Sequence, residues 1–215
     1  METYKKIRLE TDELLFSFDL KRNRSCEILD SWLNVSGLIT KEHQDFLEKL
    51  RQLQLEEGDF WNEEELKMNF LAHIFYVAQL NEKDKIKLFY ERPLAGIIGE
   101  YKINVKCDAL IATPKGIGTP RKPYFFLQEF KKQKGQENDA EGQMLAAMLL
   151  AQLENDNNLP IYGSYLQGST WRFTTLHGKN YCVSQSYDAN QKEDLEKLIL
   201  ILRKLKVLIL SQIEQ

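Results

Sequence analysis

Val105-Lys106-Cys107-Asp108-Ala109-Leu110-Ile111 and Pro123-Tyr124-Phe125-Phe126-Leu127-Gln128-Glu129-Phe130-Lys131 are two short apolar runs, each interrupted by an acid. Branched and aromatic residues suit a pleated surface, so each run reads as a buried strand. Side chains alternate along a strand, which puts Glu129 and Lys131 on one face and Phe130 on the other. If the strands are neighbours, Asp108, Glu129 and Lys131 converge at one point on a sheet. Two carboxylates so placed repel each other, and a hard divalent cation such as Mg²⁺ relieves that with oxygen ligands. A lysine beside it can steer an attacking water or stabilise charge on phosphorus.

Two helices flank these strands. Upstream, Asn62 is an N-cap residue followed by Glu63, Glu64 and Glu65 in a first turn, where acids complement the helix dipole. Leu66, Phe70, Ile74 and Val77 then recur at helical spacing and define a buried stripe. Glu63 lies three residues before Leu66 and seven before Phe70, so it shares the inward face while Glu64 sits on the flank. Downstream, the stretch from Asp139 to Leu150 is built of strong helix formers and carries one neutral polar side chain, Gln143, near its start. A glutamine in so apolar a helix wants a partner, or else lies on the surface of the first turns.

An acid followed by Glu-x-Lys on the next strand resembles the active site of the PD-(D/E)XK nuclease superfamily, which includes restriction endonucleases and RecB-like exonucleases. Asp108 matches the first acid, Glu129 the second and Lys131 the lysine; Cys107 stands where the motif's name has proline. The resemblance covers roughly residues 60 to 155. It implies that Glu63, with Glu64 second, supplies the helix acid found in many members, and that Gln143 matches the glutamine of RecB-like members. By the same resemblance Glu63, Asp108, Glu129 and the Phe130 carbonyl bind Mg²⁺ or Mn²⁺, while Lys131 and Gln143 act on the attacking water or the substrate.

Net charge is −3, which does not mark a nucleic-acid binder, but the charge is unevenly spread. Between Tyr101 and Gly135 lie Lys102, Lys106, Lys115, Arg121, Lys122, Lys131, Lys132 and Lys134 against only Asp108 and Glu129. Such a surround suits phosphate contacts, with Lys106, Arg121, Lys122, Lys132 and Lys134 as substrate-binding residues. A solvated, lysine-bearing sheet edge has the same composition. Residues 113–122, with Pro114, Gly116, Gly118 and Pro120, read as a loop; Gly116-Ile117-Gly118 lacks the third glycine of a dinucleotide fingerprint.

The chain of 215 residues is long enough for one sizeable core. Its most apolar stretch, Leu198 to Leu210, is broken by Arg203, Lys204 and Lys206, so no membrane span is expected. Cys26, Cys107 and Cys182 are odd in number and unpaired in spacing, which suggests reduced thiols in a cytoplasmic protein. Residues 1–57 read as a mostly helical extension, except that Leu15-Phe16-Ser17-Phe18-Asp19-Leu20 alternates like a strand. Ile86 to Glu91 reads as the sheet's first strand; its Glu91 is a conceivable ligand, although strand-end glutamates are usually just solvated. Beyond Pro160, tight turns separate antiparallel strands whose Tyr162, Tyr165, Trp171, Phe173 and Tyr181 suit a core better than a base-stacking surface. A final amphipathic helix runs from Asp194 to Ile213.

The expected fold is α/β, a central mixed sheet flanked by helices in the restriction-endonuclease-like manner, with an N-terminal helical extension and C-terminal antiparallel strands, as one domain. The expected function is Mg²⁺-dependent phosphodiester hydrolysis, with DNA the favoured partner. The alternative is a catalytically inactive nucleic-acid-binding or protein-interaction module on the same scaffold. Cutting both strands often takes two active sites, which admits a homodimer, although no interface is legible.

Overall fold

The computed structural model describes residues 4–131 and 139–214, so the expected phosphate contacts Lys132 and Lys134 lie outside the described residues. The N-terminal segment is woven into the sheet rather than appended to it. Its β1 (Lys5–Lys6) lies parallel to Tyr101–Lys102, and its β2 (Lys21–Asn23) lies parallel to residues 180–182. Between them, α1 (Thr11–Ser17) replaces the strand expected over 15–20. Leu14 and Phe18, four apart, are both buried while Phe16 is exposed. That helical phase was hidden by the local alternation.

Helices α2 (Glu27–Leu33) and α3 (Lys41–Glu57) follow, within the stretch read as mostly helical. The next, α4 (Glu63–Leu66), opens on Asn62 with a reciprocal cap: Glu65 N–H donates to the Asn62 side chain, and Asn62 N–H donates to the Glu65 carboxylate. It runs through one π turn at Lys67–Leu71 into α5 (Ala72–Ala78), and Leu66, Phe70, Ile74 and Val77 are all buried.

Three long strands form an antiparallel meander: β3 (Lys87–Ile98), β4 (Tyr101–Lys115) and β5 (Thr119–Lys131). The expected loop over 113–122 is a hairpin arm, since Thr113 pairs with Arg121, Pro114 with Pro120 and Lys115 with Thr119. Only Gly116-Ile117-Gly118 turns, with Gly116 at φ +64°. Helix α6 (Ala140–Asn155) then crosses over to β6 (Ile161–Gln167), which lies parallel to β5. The chain finishes with β7 (Thr170–His177), β8 (Asn180–Val183), β9 (Tyr187–Asp188) and α7 (Lys192–Ile213). Across the mixed sheet the order is β3-β4-β5-β6-β7-β8-β2, with β1 beside β4 and β9 beside β7. Among the described residues no helix is long and apolar enough to cross a membrane.

Helices cover both faces. Ala109, Ile111, Phe126 and Phe130 pack with residues of α2, α5 and α7 in one core, where Trp32 meets Phe126, Tyr162 and Phe173 edge to face. Leu110, Ala112 and Leu127 pack beneath α6 in the other. Tyr162, Trp171, Phe173 and Tyr181 are thus core residues, unavailable for stacking on bases.

The start of α6 is fixed from two sides. The Asp139 side chain accepts from Gly142 N–H and also from the Thr11 N–H and hydroxyl, each of the latter at 2.6 Å. A Cβ on Gly142 would stand 2.3 Å from the Leu9 carbonyl oxygen, so only glycine lets α6 approach this closely. Gly142→Ala is expected to cost about 3 kcal/mol by overpacking, read as a lower urea midpoint with an unchanged slope.

Candidate active site

Strand periodicity fails in β3 and β4 at Asp108. Ile103, Val105 and Cys107 face the α6 core, yet Ala109 and Ile111 face the opposite one. The partner strand reverses in step: Leu88 and Tyr90 face one core and Leu94 the other. An undisturbed strand keeps alternate residues on one face. The two reversals meet where Glu91 lies opposite Asp108, between the pairs Tyr90–Ala109 and Arg92–Cys107. Glu91 has φ +53°, a left-handed backbone that costs any residue with a Cβ about 1–2 kcal/mol. The crimp leaves Asp108 out of both cores.

Strand β5 brings the other groups. Asp108 Oδ2 accepts from the Phe130 amide at 3.0 Å, and the carboxyls of Asp108 and Glu129 stand within hydrogen-bond reach. Lys131 Nζ is 3.1 Å from Glu129 Oε1 and 3.6 Å from Glu63 Oε1. All three β residues are buried, and together with Glu63, Glu64, Lys67, Glu91, Lys106, Phe130 and Gln143 they line a cavity of about 320 Å³.

Burial dominates the electrostatics. It pushes the Glu129 carboxyl up to about 9, helped by the neighbouring Asp108 and opposed by Lys131. Asp108 is also raised by burial, against the Phe130 amide, Glu129 and Lys131. Burial pulls Lys131 down, but Glu129 chiefly, then Glu63 and Asp108, outweigh it and hold the ammonium above its ordinary value. Without a metal, then, the pair holds a proton near neutrality while Lys131 stays charged.

Neither Glu129 Oε2 nor Glu63 Oε1 accepts a hydrogen bond; the Lys131 ammonium stands 3.6 Å from Glu63 Oε1, whereas Glu129 Oε2 is left in a costly state unless a proton or cation meets it. Among the described residues no three His, Cys, Asp or Glu side chains already stand close enough together to hold a metal ion. Mg²⁺ fits nevertheless, because it keeps several waters and is commonly held by one or two carboxylates plus substrate phosphate. Asp108 and Glu129 make such a pair, and Glu129 Oε2 is itself unsatisfied.

Of the remaining residues singled out in the sequence, Glu63 approaches Lys131, whereas Glu64 binds Lys67 Nζ at 2.7 Å. Gln143 reaches the cavity wall half-buried, with no hydrogen bond from its side chain to any described residue. Phe130 contributes its amide to Asp108, and Lys106 stands on the rim. Arg121 and Lys122 do not line the cavity: they lie on the hairpin arm, with Lys122 bound to Glu154 at 2.7 Å. What put them far from the acids is the pairing of 113–115 with 119–121, which extends the strands where a compact loop was expected.

Two further participants stand at the site, of which the sequence pointed only to Glu91, as a conceivable ligand. Lys67 is buried, with Nζ 2.5 Å from Glu91 Oε1 and 5.4 Å from the centre of the Phe130 ring. Glu91, expected to be solvated, joins Lys67 to Lys106. Burial would raise its carboxyl, but the two ammonium groups outweigh that and hold it below the usual range. A lysine one residue past the stripe's Leu66 gave a weak signal for this; the left-handed backbone at Glu91 gave none. Compared with models of known protein families and with curated proteins, the chain matches none.

Proposed function

We propose that this protein is a divalent-metal-dependent nuclease of the PD-(D/E)XK kind that hydrolyses phosphodiester bonds, with DNA as substrate. One observation carries the reading: two buried carboxyls and a buried ammonium converge in an open cavity, and one carboxylate oxygen there has no donor. Structural ion pairs rarely leave such an oxygen unmet.

Asp108 and Glu129 would hold the metal with the Phe130 carbonyl, and Glu63, which faces Lys131 at 3.6 Å, would join only by moving in toward them. The bound ion would lower the pKa of a water and neutralise charge developing on phosphorus. The chain's own part is orientation. The Phe130 amide fixes the Asp108 carboxylate, and Glu129 and Glu63 fix the Lys131 ammonium, which then stands ready to steer the water or meet the phosphoryl charge. Gln143, free of described partners, can turn its amide toward Lys131 or the substrate. Lys106, exposed on the rim, offers a phosphate contact.

A second reading has its own support. Lys131, 3.1 Å from Glu129, and the proton held by the Asp108–Glu129 pair balance the buried carboxyls without any metal, as they would in an inactive binding module on the same scaffold. Incubation with single- and double-stranded DNA and RNA, with Mg²⁺, Mn²⁺ or EDTA, separates the two. Cleavage that needs a divalent ion is expected. Intact nucleic acid under every ion, together with no Mg²⁺ or Mn²⁺ binding by calorimetry, would replace the nuclease by the binding module.

A further inference from the structure

The Glu91 carboxylate bridges two lysines from different elements. Oε1 faces Lys67 Nζ at 2.5 Å, from the π turn after α4, and Oε2 is in direct contact with Lys106 Nζ, from β4. Both ammonium groups therefore converge on one anionic group of charge −1 with two oxygens. A phosphodiester has the same charge and two non-bridging oxygens at a similar spacing. All three side chains line the cavity that holds Asp108 and Glu129.

We infer that Lys67 and Lys106 form a phosphodiester clamp for the nucleic-acid backbone, with Glu91 occupying it as an internal competitor until substrate displaces it. The inference rests on the nuclease reading for its choice of ligand, but not on metal or on cleavage.

The clamp is built unevenly, and that asymmetry suits exchange. Lys67 is buried, anchored by Glu64 at 2.7 Å and packed over the Phe130 ring, so it keeps its place when Glu91 leaves. The Glu91 and Lys106 side chains are 36% and 63% exposed, so their pair is screened and weak, and Glu91 can swing out to water. The backbone at Glu91 is itself an outlier, φ +53° beside the crimp at Asp108, and it is this conformation that presents the carboxylate to both lysines. The clamp also explains why a cavity rich in acids could admit a polyanion. Two of its three lysines become available only when Glu91 is exchanged for phosphate.

The test is fluorescence anisotropy of a labelled single-stranded 12-nucleotide DNA in EDTA, across a salt series, on the full chain. Wild type should bind weakly and Glu91→Gln about fivefold more tightly. Lys106→Gln and Lys67→Gln should each weaken binding about fivefold and lower the slope of log affinity against log salt by about 0.7. Lys41→Gln, which removes an exposed ammonium paired with Asp45, should do neither. Melting curves accompany each variant, and Lys106, being exposed, keeps the test valid should Lys67→Gln fail to fold. Inorganic phosphate should compete with the oligonucleotide in Glu91→Gln at lower concentration than in wild type. Unchanged or weaker binding by folded Glu91→Gln overturns the clamp, as does a Lys106→Gln slope equal to that of Lys41→Gln, or no saturable binding by any variant. Charge-dependent binding without cleavage in any metal would sink the nuclease reading and leave the clamp standing. Cleavage without this charge dependence would do the reverse.

Discussion

Lys131→Ala is expected to slow metal-dependent cleavage by about 10²- to 10³-fold, the usual loss when one buried donor aimed at developing charge is removed. Asp108→Ala is expected to lose about a thousandfold or more, since a metal site supplies several kcal/mol of transition-state stabilisation and each 1.4 kcal/mol is tenfold. The two differ in binding. Asp108→Ala deletes a carboxylate and should abolish Mn²⁺ uptake seen by calorimetry. Lys131→Ala deletes a positive charge 3.1 Å from Glu129 Oε1, so uptake should be retained or strengthened. Melting curves must show that both variants fold, because Lys131 and Asp108 are buried. Equal loss of Mn²⁺ binding in both would mean that Lys131 organises the carboxylates and takes no separate part near the substrate.

The convergence of Asp108, Glu129 and Lys131 was largely legible in the residues of β4 and β5. Two apolar runs with an acid in each gave the strands, and period-two alternation put Glu129 and Lys131 together. The stripe of Leu66, Phe70, Ile74 and Val77 gave the helix and the side from which Glu63 enters. What escaped was held by backbone or by distant residues. β1 and β2 are two and three residues long and mostly charged, so their place in the sheet rests on main-chain pairing that leaves no side-chain pattern. Arg121 and Lys122 seemed near the acids because they are near in sequence; extension of the hairpin carries them away. Glu91 looked like a solvated strand end because its partners, Lys67 and Lys106, are 24 and 15 positions away and meet it only through the crimp at Asp108.

Burial of Glu129 makes stability depend on pH, in a way that tests the proposed metal site without any activity. In the unfolded chain Glu129 ionises near its ordinary value of 4.5, whereas in the fold it keeps its proton to about 9. Between those limits the folded state binds the extra proton, so stability is greatest at the acid end and falls as pH rises, by at most about 1.4 kcal/mol per pH unit. The raised Asp108 acts in the same direction, whereas Lys131, raised above 10.5, would lose its contribution only beyond this window. Metal-free wild type should therefore lose about 2 kcal/mol between pH 6 and pH 8 in urea unfolding. Glu129→Gln presents an amide that can donate to Asp108 and accept from Lys131, as the protonated acid does, and its curve should be flatter, leaving it the more stable at pH 8. On the proposed reading Mg²⁺ would replace the proton, so its stabilisation of wild type should grow with pH and vanish in Glu129→Gln. Parallel wild-type and Glu129→Gln curves from pH 6 to 8 would mean that Glu129 is ionised and satisfied in the metal-free fold. Its orphaned oxygen would then no longer speak for a bound cation.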